Sequence, residues 1–356
     1  MKSSGIETNR ITFDDVVKGK IEMPENDEDF VIAKTNGIPT YHFAHAVDDH
    51  LMRTTHVIRG DEWIASVPKH LQLFRMLGFK PPKYAHIAPI MKEENGKKRK
   101  LSKRRDPEAA VSFYFEQGYP RESILEYFKT ISNSNFEEWR KQNKNEPIEN
   151  FPFSLKKMSV SGALFDLAKL NDVSKNVISL FSVETVLSYI LDWTKEFDPE
   201  FHGLLSKDLN YATAIFAIDR GTKNPRKDIA KWNEARDYSS FFYDELYTPS
   251  YTLPDNIAPE DAKNIVMKYR DVFDANDDKN DWFLKIKGIC EPCGFCPDVK
   301  EYKQNPDAYK GHVGDVSGII RIAVTDRMNT PDLYEIMRLL GKDRVKIRLD
   351  NFINML

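Results

Sequence analysis

The stretch HVIRGDEWIASVPKHLQLFRMLGFKPPKYAHIAPIM, residues 56–91, decides the fold class of this chain. Its opening letters HVIR predict a buried β-strand. A helix is predicted from about Val67 to Gly78, where glycine lets the backbone leave the helix. The apolar face of that helix comprises Leu71, Phe74 and Leu77. The apolar run YAHIAPIM follows, and this succession of strand, helix and apolar run indicates an α/β layer.

The segments on either side complete this outline. FVIAK at residues 30–34 predicts a short strand, and the Asn-Gly pair before IPTYHFA predicts a hairpin or a tight connection between strands. After Asp106 the pattern becomes helical, and a late helix is predicted between Thr330 and Gly341. A clear helical stripe is formed by Val183, Val186, Leu187, Ile190 and Leu191. The sequence therefore predicts an α/β part followed by an all-helical part.

Size and charge limit the functions that the chain can have. It has 356 residues, enough for two or three domains, and a formal net charge of −3, so any nucleic-acid contact must come from local basic patches. No apolar stretch follows Met1 and none approaches about 18 residues, which supports neither secretion nor membrane spanning. The three cysteines all lie in CEPCGFC. A disulfide framework is not expected, and a reducing cytoplasm is the expected location.

The most basic stretch is KKRKLSKRRDP, residues 97–107, in which seven of the nine residues from Lys97 to Arg105 are cationic. Charge alone is compatible with a solvated loop, an address label, a nucleic-acid patch or a loop that grips nucleotide phosphates. The pattern favours the last, because an apolar residue is wedged between the cations and a hydroxyl lies beside the second lysine. The stretch follows an apolar run and an ENG turn, which predicts a mobile loop at the end of an α/β sheet, where ligands usually bind.

Several stretches, in order, resemble a known family. KLSKR at residues 100–104 resembles the KMSKS loop of class I aminoacyl-tRNA synthetases, in the form typical of glutamyl-tRNA synthetases. Upstream, GIPTYHFA, VDDHLM and THVIRGDEW resemble the G-x-P-T-Y-x-x-A, V-D-D-H-L-M and T-H-V-I-R-G-E-E stretches of that family. The downstream segments that resemble its stem-contact region and last anticodon-binding helices are residues 118–120, residues 161–166 with Lys169 and Leu170, and residues 330–348.

The resemblance implies residue roles. Tyr41 and Arg59 would hold glutamate, and His45 would line the same pocket. The residues themselves agree for Arg59, because a guanidinium pairs bidentately with a carboxylate, although a structural ion pair at the end of a strand is the alternative. The residues implied to be catalytic are Lys100, Ser102 and Lys103. Those implied to bind ATP are Lys103, Arg104, Leu101, Glu62 and Trp63.

Two departures from the family pattern stand out. Position 45 is histidine, where the family often has asparagine or valine. The HIGH motif, whose histidines bind ATP in the family, is absent, and Gly311–Gly314 lies too far downstream to replace it. The chain is therefore expected to correspond to the C-terminal two-thirds of a glutamyl-tRNA synthetase, with an internal start at Met1, and to be inactive in isolation. The alternative is a tRNA-binding module without catalytic activity.

The implied reaction is the ATP-dependent attachment of glutamate to tRNA through a glutamyl-adenylate, with Mg²⁺ accompanying ATP. The implied partners are tRNA(Glu) and L-glutamate, without DNA or membrane, in a monomer. The expected domains are a remnant of the acceptor-binding insertion at 1–38, the second half of a Rossmann-like catalytic domain at 39–105, a stem-contact domain at 106–180 and a helical anticodon-binding domain at 181–356. Polar stretches at 143–150 and 248–256 are candidate linkers or long loops.

Three other motifs contain residue types that can bind metals or phosphates. No metal site is predicted at residues 42–50, HFAHAVDDH, because positions 42 and 45 would point to opposite faces of a strand. Incidental cysteines are favoured over a metal or iron–sulfur site for Cys290, Cys293 and Cys296, because three thiolates without a nearby fourth ligand are incomplete for structural zinc. KMSVS at residues 157–161 resembles a second KMSKS loop but lacks the second lysine, so a structural or tRNA-facing role is expected.

Overall fold

The computed structural model describes residues 9–356, and its contacts divide the chain into two compact units. The first comprises the residues up to Tyr114 together with Arg121–Val173, and the second comprises Phe115–Pro120 and Ser174–Leu356. Within the described residues, no helix is both long and apolar enough to cross a membrane. The predicted domain boundaries stay predictions, and the first eight residues of the predicted 1–38 domain lie outside the described part of the chain.

Strands belong to the first unit, and helices occur in both. The strands are β1 (Arg10–Asp15), β2 (Gly19–Pro24), β3 (His56–Gly60), β4 (Lys83–Ile87), β5 (Met91–Glu94) and β6 (Lys97–Lys100). The helices of the first unit are α1 (Tyr41–Leu51), α2 (Val67–Met76), α4 (Arg121–Ser132), α5 (Phe136–Gln142), most of α3 (Val111–Gln117) and the first part of α6 (Leu167–Leu180). Those of the second are α7 (Val183–Phe197), α8 (Pro199–Lys207), α9 (Leu209–Ala217), α10 (Ala235–Ser239), α11 (Pro259–Val272), α12 (Lys279–Cys290), α13 (Val299–Gln304), α14 (Val313–Thr325) and α15 (Leu333–Met355). Short 3₁₀ helices include Asp61–Ser66 and Pro107–Ala109.

A four-stranded sheet in the order β2-β1-β4-β3 organises the first unit. β3 and β4 run parallel from the His56–Lys83 pair to the Gly60–Ile87 pair, and α2 connects them. The predicted strand, helix and strand succession is therefore confirmed. The prediction that HVIR is buried is wrong, because Ile58 is 52% exposed. Strand β3 forms an edge of the sheet within the described residues, which leaves one side of its chain without a neighbouring strand.

Of the hairpin or tight connection predicted around the Asn-Gly turn, the tight connection is present, but the strand predicted at residues 30–34 is not. Only one bridge forms, between Ala33 and Pro39, although the turn itself is present with Gly37 at a φ of 80°. Proline has no N–H group and cannot extend a strand ladder. From Tyr41 the chain is helical, and α1 buries Ala46 against Leu73 and Phe74 of α2. Tertiary packing thus makes a helix of the segment TYHFA.

The basic stretch is split between a strand and a turn. Lys97–Lys100 form β6, which pairs antiparallel with β5 across the Asn95-Gly96 turn. The remainder passes through a short turn to the 3₁₀ helix Pro107–Ala109. Asp106 does not cap that helix through its side chain. Its carboxylate instead accepts hydrogen bonds from the Ser102 N–H at 2.8 Å and from two guanidinium nitrogens of Arg99 at 2.7 Å.

The second unit is helical and has a large apolar core. Helix α7 covers the predicted stripe and buries Val186, Leu187 and Ile190, which confirms that prediction. The late helix begins after Asp332, which caps it by accepting the Glu335 N–H, so the start predicted at Thr330 is wrong by a few residues. A glycine at position 341, with a φ of 77° and a ψ of 164°, interrupts α15 where the end was predicted, and helix resumes beyond it. The α/β part followed by a helical part is confirmed.

Candidate active site

Arg59 lies near the end of β3, at the carboxyl edge where parallel strands commonly present binding groups. Its guanidinium carbon is 5.0 Å from the ring centre of Tyr84 on β4 and 5.7 Å from that of Trp63 in the following 3₁₀ helix. The Trp63 ring lies 4.7 Å from the ring of Tyr41, at the start of α1, and Tyr41 is 52% exposed. Tyr41 and Trp63, both of which the sequence predicts for the site, therefore lie together beside the half-buried Arg59.

The hydrogen-bond partners of Arg59 are mostly histidines. Its Nε–H donates to Nε2 of His86 at 3.1 Å, and its terminal nitrogens lie 3.4 Å from Nδ1 of His70 and from the backbone oxygen of Trp63. Burial, with the neighbouring His45 and Arg59 charges, lowers the pKa of His70 to about 2, so this histidine is neutral. Within residues 9–356, no carboxylate forms an ion pair with Arg59. The predicted alternative of a structural ion pair is therefore not seen in the described part of the chain.

His45 lies in the same cluster, but both of its ring nitrogens are engaged. Nδ1 lies 2.7 Å from Asp49 one turn along α1, and Nε2 lies 3.0 Å from the Tyr84 hydroxyl. Because the carboxylate only accepts, Nδ1 carries the proton and Nε2 accepts from Tyr84. Burial lowers the pKa of His45, although Asp49 opposes that shift. The ring can therefore line a pocket by contact, while its hydrogen bonds hold α1 to β4.

The argument that placed positions 42 and 45 on opposite faces of a strand is wrong. Both residues lie on α1, and both rings approach His70, with the His42 Nδ1 at 2.9 Å from the His70 Nε2 and the His45 ring centre at 4.3 Å. Side chains three apart share one face of a helix. Even so, among residues 9–356 no three His, Cys, Asp or Glu side chains are positioned to hold a metal ion.

The turn that follows β6 in the basic stretch, called the basic turn below, comes near the Arg59 cluster through Lys100 at the end of β6. Nζ of Lys100 is 4.0 Å from Glu62, the residue before Trp63, and both of these side chains are more than half exposed. Lys103 and Arg104 are exposed, whereas Leu101 is half-buried and its N–H donates to the Ile90 oxygen at 2.8 Å. The turn thus exposes cations to solvent while its backbone is held in place.

Asp106 holds the backbone of the turn in place. It is 2% exposed, and the Arg99 guanidinium and the Ser102 N–H hold its pKa well below its usual range. The aspartate of KKRKLSKRRDP thus organises the backbone of the turn, whereas the sequence alone predicts only the start of a helix there.

Residues 161–166 hydrogen-bond to β5 and so support the hairpin formed by β5 and β6. The Met91 N–H donates to the Ala163 oxygen at 2.8 Å, and the Phe165 N–H donates to the Met91 oxygen at 2.7 Å. A Cβ atom on Gly162 would lie 2.6 Å from Met91 Cγ, so only glycine fits there. The KMSVS segment just before it pairs with the end of α4, where the Ser159 N–H donates to the Ser132 oxygen. These contacts accord with a structural role for KMSVS.

Two family models match parts of the chain. Residues 3–172 match the family described as "tRNA synthetases class I (E and Q), catalytic domain", and residues 303–353 match "Anticodon binding domain". Together the two matches cover more than half of the chain. The chain contains a class I tRNA synthetase catalytic region, residues 3–172. Its resemblance to glutamyl-tRNA synthetases, inferred from the motifs, is confirmed by the relatives it matches.

The relatives are longer than this synthetase chain. It is 48% identical to the glutamate–tRNA ligase of Clostridium perfringens (strain SM101 / Type A) over 357 residues, which cover 99% of the chain and 65% of that protein. It is 47% identical to the glutamate–tRNA ligase of Acetivibrio thermocellus, covering 99% of the chain and 64% of the relative. The chain therefore spans about 65% of the length of these curated relatives.

A solved structure shares the fold. The glutamate tRNA ligase from Elizabethkingia meningosepticum, solved in complex with its amino acid, superposes with a TM-score of 0.67 at 23% identity. That match covers 99% of this synthetase chain and 67% of the solved one. The glutamate-tRNA synthetase from Elizabethkingia anophelis gives a TM-score of 0.66 at 22% identity, covering 98% and 66%.

Four residues of the cluster were not identified from the sequence of this synthetase chain. They are Asp15, His70, Tyr84 and His86. A signal was present for His86, because it interrupts the otherwise apolar run YAHIAPIM, and a buried polar residue needs a partner. The cysteines of CEPCGFC are all buried in the second unit, and burial raises the pKa of Cys290 to about 11. The thiol of Cys290 is therefore protonated and inert near neutral pH.

Proposed function

We propose that the chain carries the glutamate-binding and phosphate-facing parts of a glutamate–tRNA ligase, which attaches glutamate to tRNA(Glu) through a glutamyl-adenylate with ATP and Mg²⁺. The observation that carries this proposal is Arg59, a half-buried guanidinium that is surrounded by neutral rings and not ion-paired within the described residues. Holding a cation partly out of water without a counter-ion is costly unless a ligand supplies the opposite charge. The carboxylate of glutamate is such a ligand.

In the proposed pocket, Arg59 binds a carboxylate of glutamate and Tyr41 orients the ligand from the exposed side. Tyr41 and Trp63 form the wall, since their ring centres lie 4.7 Å apart. His45 contributes the face of its ring, because both nitrogens are already hydrogen-bonded. An amide in place of the carboxylate would leave the charge of Arg59 unmatched, which gives a physical reason to select glutamate over glutamine.

On the phosphate side, Lys100, Lys103 and Arg104 are suited to ATP because they are cationic, and Lys103 and Arg104 are exposed on a turn fixed by Asp106. Ser102 and Leu101 belong to that same turn, and Glu62 lies 4.0 Å from Lys100. Mg²⁺ bound to the phosphates would offset their charge. The described residues contain no cluster of three metal ligands, so the proposal assigns no side chain to the ion.

The first test is glutamate binding by the purified chain, measured by saturation-transfer NMR. We expect L-glutamate to bind more tightly than L-glutamine, and Arg59→Ala to weaken glutamate binding by about 10- to 100-fold, because hydrogen bonds to a charged group contribute about 1.5–3 kcal/mol. Arg75→Ala is the matched control, since Arg75 is an exposed arginine on α2 of the same unit. Equal binding of glutamate and glutamine would refute the assignment of Arg59.

The second test separates catalysis from RNA binding. The chain is incubated with ATP, Mg²⁺, labelled glutamate and unfractionated tRNA, and a full-length relative such as the Clostridium perfringens ligase serves as the positive control. We expect the isolated chain to bind tRNA without charging it, and the relative to charge the same tRNA. Charging by the chain would show that its pocket is complete. Failure to bind any tRNA at low salt would refute the RNA-binding part of the proposal.

A further inference from the structure

A buried aspartate lies behind the arginine of the proposed pocket. Asp15, at the end of β1, is 3% exposed and accepts four N–H donors. Oδ1 accepts the backbone N–H groups of Val17 and Lys18, both at 2.9 Å, while the backbone N–H of His86 lies 3.1 Å from Oδ2. The fourth contact joins Oδ2 to Nδ1 of the His86 side chain at 2.6 Å. Burial alone would raise the pKa of Asp15, but these hydrogen bonds lower it, so the group is a carboxylate.

The two neighbours of His86 fix its tautomer. A carboxylate only accepts hydrogen bonds, so the proton must lie on Nδ1 of His86. The Nε–H of Arg59 only donates, so Nε2 of His86 must be bare to accept it at 3.1 Å. His86 is fully buried, and burial lowers its pKa although Asp15 opposes that shift. Geometry thus permits one state of the ring, neutral with the proton on Nδ1.

This state determines the orientation of the arginine. With Nε–H held by His86, the guanidinium is anchored at one corner, and its central carbon lies 5.0 Å from the centre of the Tyr84 ring and 5.7 Å from that of Trp63. Among residues 9–356, the terminal nitrogens have only long contacts, 3.4 Å to His70 and to the Trp63 oxygen. Their remaining N–H groups are therefore the ones available to a carboxylate. A bidentate grip requires such a preset plane, because both bonds must align at once.

We propose that Asp15 and His86 are positioning residues that fix the guanidinium plane of Arg59 for a ligand carboxylate. Asp15 fixes the His86 tautomer, and the bare Nε2 of His86 then anchors Arg59 through its Nε–H. This inference rests on the proposed function, because it takes Arg59 as the carboxylate-binding group. The charged and titratable groups that face His86 are Asp15 on β1, Arg59 on β3, Asp61 in the following 3₁₀ helix, His70 on α2 and Tyr84 on β4.

The first experiment observes the hydrogen-bond chain from Asp15 through His86 to Arg59, called the relay below, without any ligand. Long-range ¹H–¹⁵N NMR on the histidine-labelled chain reports which nitrogen of His86 carries the proton, and the Nε–H signal of Arg59 reports its hydrogen bond. We expect the Nδ1–H tautomer and a slowly exchanging Arg59 Nε–H between pH 6 and 8. The Nε2–H tautomer, or a doubly protonated ring, would overturn the relay, because neither can accept from Arg59.

The second experiment uses substitutions of His86 to separate its contact with Asp15 from its contact with Arg59. In His86→Asn the amide nitrogen can replace Nδ1 towards Asp15, but nothing reaches Arg59. In His86→Gln the longer side chain can place an oxygen near the former Nε2 and accept the Arg59 Nε–H. His56→Asn is the control, since His56 is an exposed histidine on the same strand as Arg59. We expect His86→Asn to weaken glutamate binding about tenfold, and His86→Gln and the control to stay close to the unsubstituted chain.

The folding of each variant is checked separately from its glutamate binding. Circular dichroism and the amide NMR spectrum show whether each variant folds, and the tautomer measurement on the unsubstituted chain does not depend on any variant. If a folded His86→Asn binds glutamate as tightly as the unsubstituted chain, the positioning role is refuted. If the unsubstituted chain binds no glutamate, the proposed function is refuted. The ¹⁵N chemical shifts of the His86 ring still show, independently of glutamate binding, whether the relay exists.

Discussion

Replacing His70 with glutamine should reduce the acid sensitivity of the first unit. His70 is fully buried on α2. The titratable groups that face it are His42 and His45 on α1, Arg59 on β3 and His86 on β4. Burial and these neighbours lower the pKa of His70 to about 2, well below the value of about 6.5 for an unfolded chain. Between these values the unfolded chain binds a proton that the folded chain excludes.

The magnitude follows from this difference. Stability decreases as the pH falls through 6.5, because the unfolded state binds more protons, and each pKa unit corresponds to about 1.36 kcal/mol. From pH 7.5 to pH 5.0, a histidine that stays neutral in the folded state costs about 2 kcal/mol. That figure requires only that the folded pKa lie well below 5. It is a large fraction of the stability of a typical domain.

The assay must report on the first unit alone, because a two-unit chain need not unfold in one step. Of the five tryptophans, Trp63 and Trp139 belong to this unit, so urea unfolding is followed by ¹⁹F NMR of fluorotryptophan at pH 7.5 and 5.0. The loss of stability between these pH values should be about 2 kcal/mol smaller for His70→Gln than for the unsubstituted chain. His56→Gln controls for removing an exposed histidine. Equal losses for the unsubstituted chain and His70→Gln would show that folded His70 is protonated at pH 5.0.

Three further predictions follow from individual contacts. Gly162→Ala should destabilise the first unit by about 1–3 kcal/mol in urea unfolding, because the new Cβ would lie 2.6 Å from Met91 Cγ, whereas Gly203→Ala, in a helix with no atom within 4 Å, should stabilise by about 1 kcal/mol. Asp278→Ala should cost the second unit about 1 kcal/mol and Asp278→Asn much less, because the side chain accepts two N–H groups of the first turn of α12 at 2.8 and 2.9 Å. A chromogenic disulfide reagent at pH 8 should label no cysteine in the folded chain and all three in urea, since all three, including Cys290 with its raised pKa, are buried; labelling in the folded state would contradict this packing.

Much of the fold was predictable because it depends on short-range signals. The parallel pair β3 and β4 and the helix between them follow from apolar runs separated by a helical pattern, and α7 follows from its stripe. The segment TYHFA was mistaken for part of a hairpin, because its β-formers and the preceding Asn-Gly pair are also typical of strands. Its helical state depends on packing Ala46 against α2, a contact between distant parts of the chain that local propensity does not contain.

The residues of the candidate site also fall into two groups, those that local sequence motifs locate and those that only the tertiary structure brings together. Tyr41, Arg59, Trp63 and the cations of the basic turn belong to local motifs, so the resemblance located them. The partners of Arg59 come from other segments: Asp15 pairs with His86 across 71 positions, and His86 meets Arg59 across 27. A single sequence does not state which buried polar residues meet, although it shows that each needs a partner. An aspartate at the end of β1 and a histidine inside the apolar strand β4 are two such unmatched residues, and the parallel register of β4 beside β1 and β3 brings them together behind the arginine.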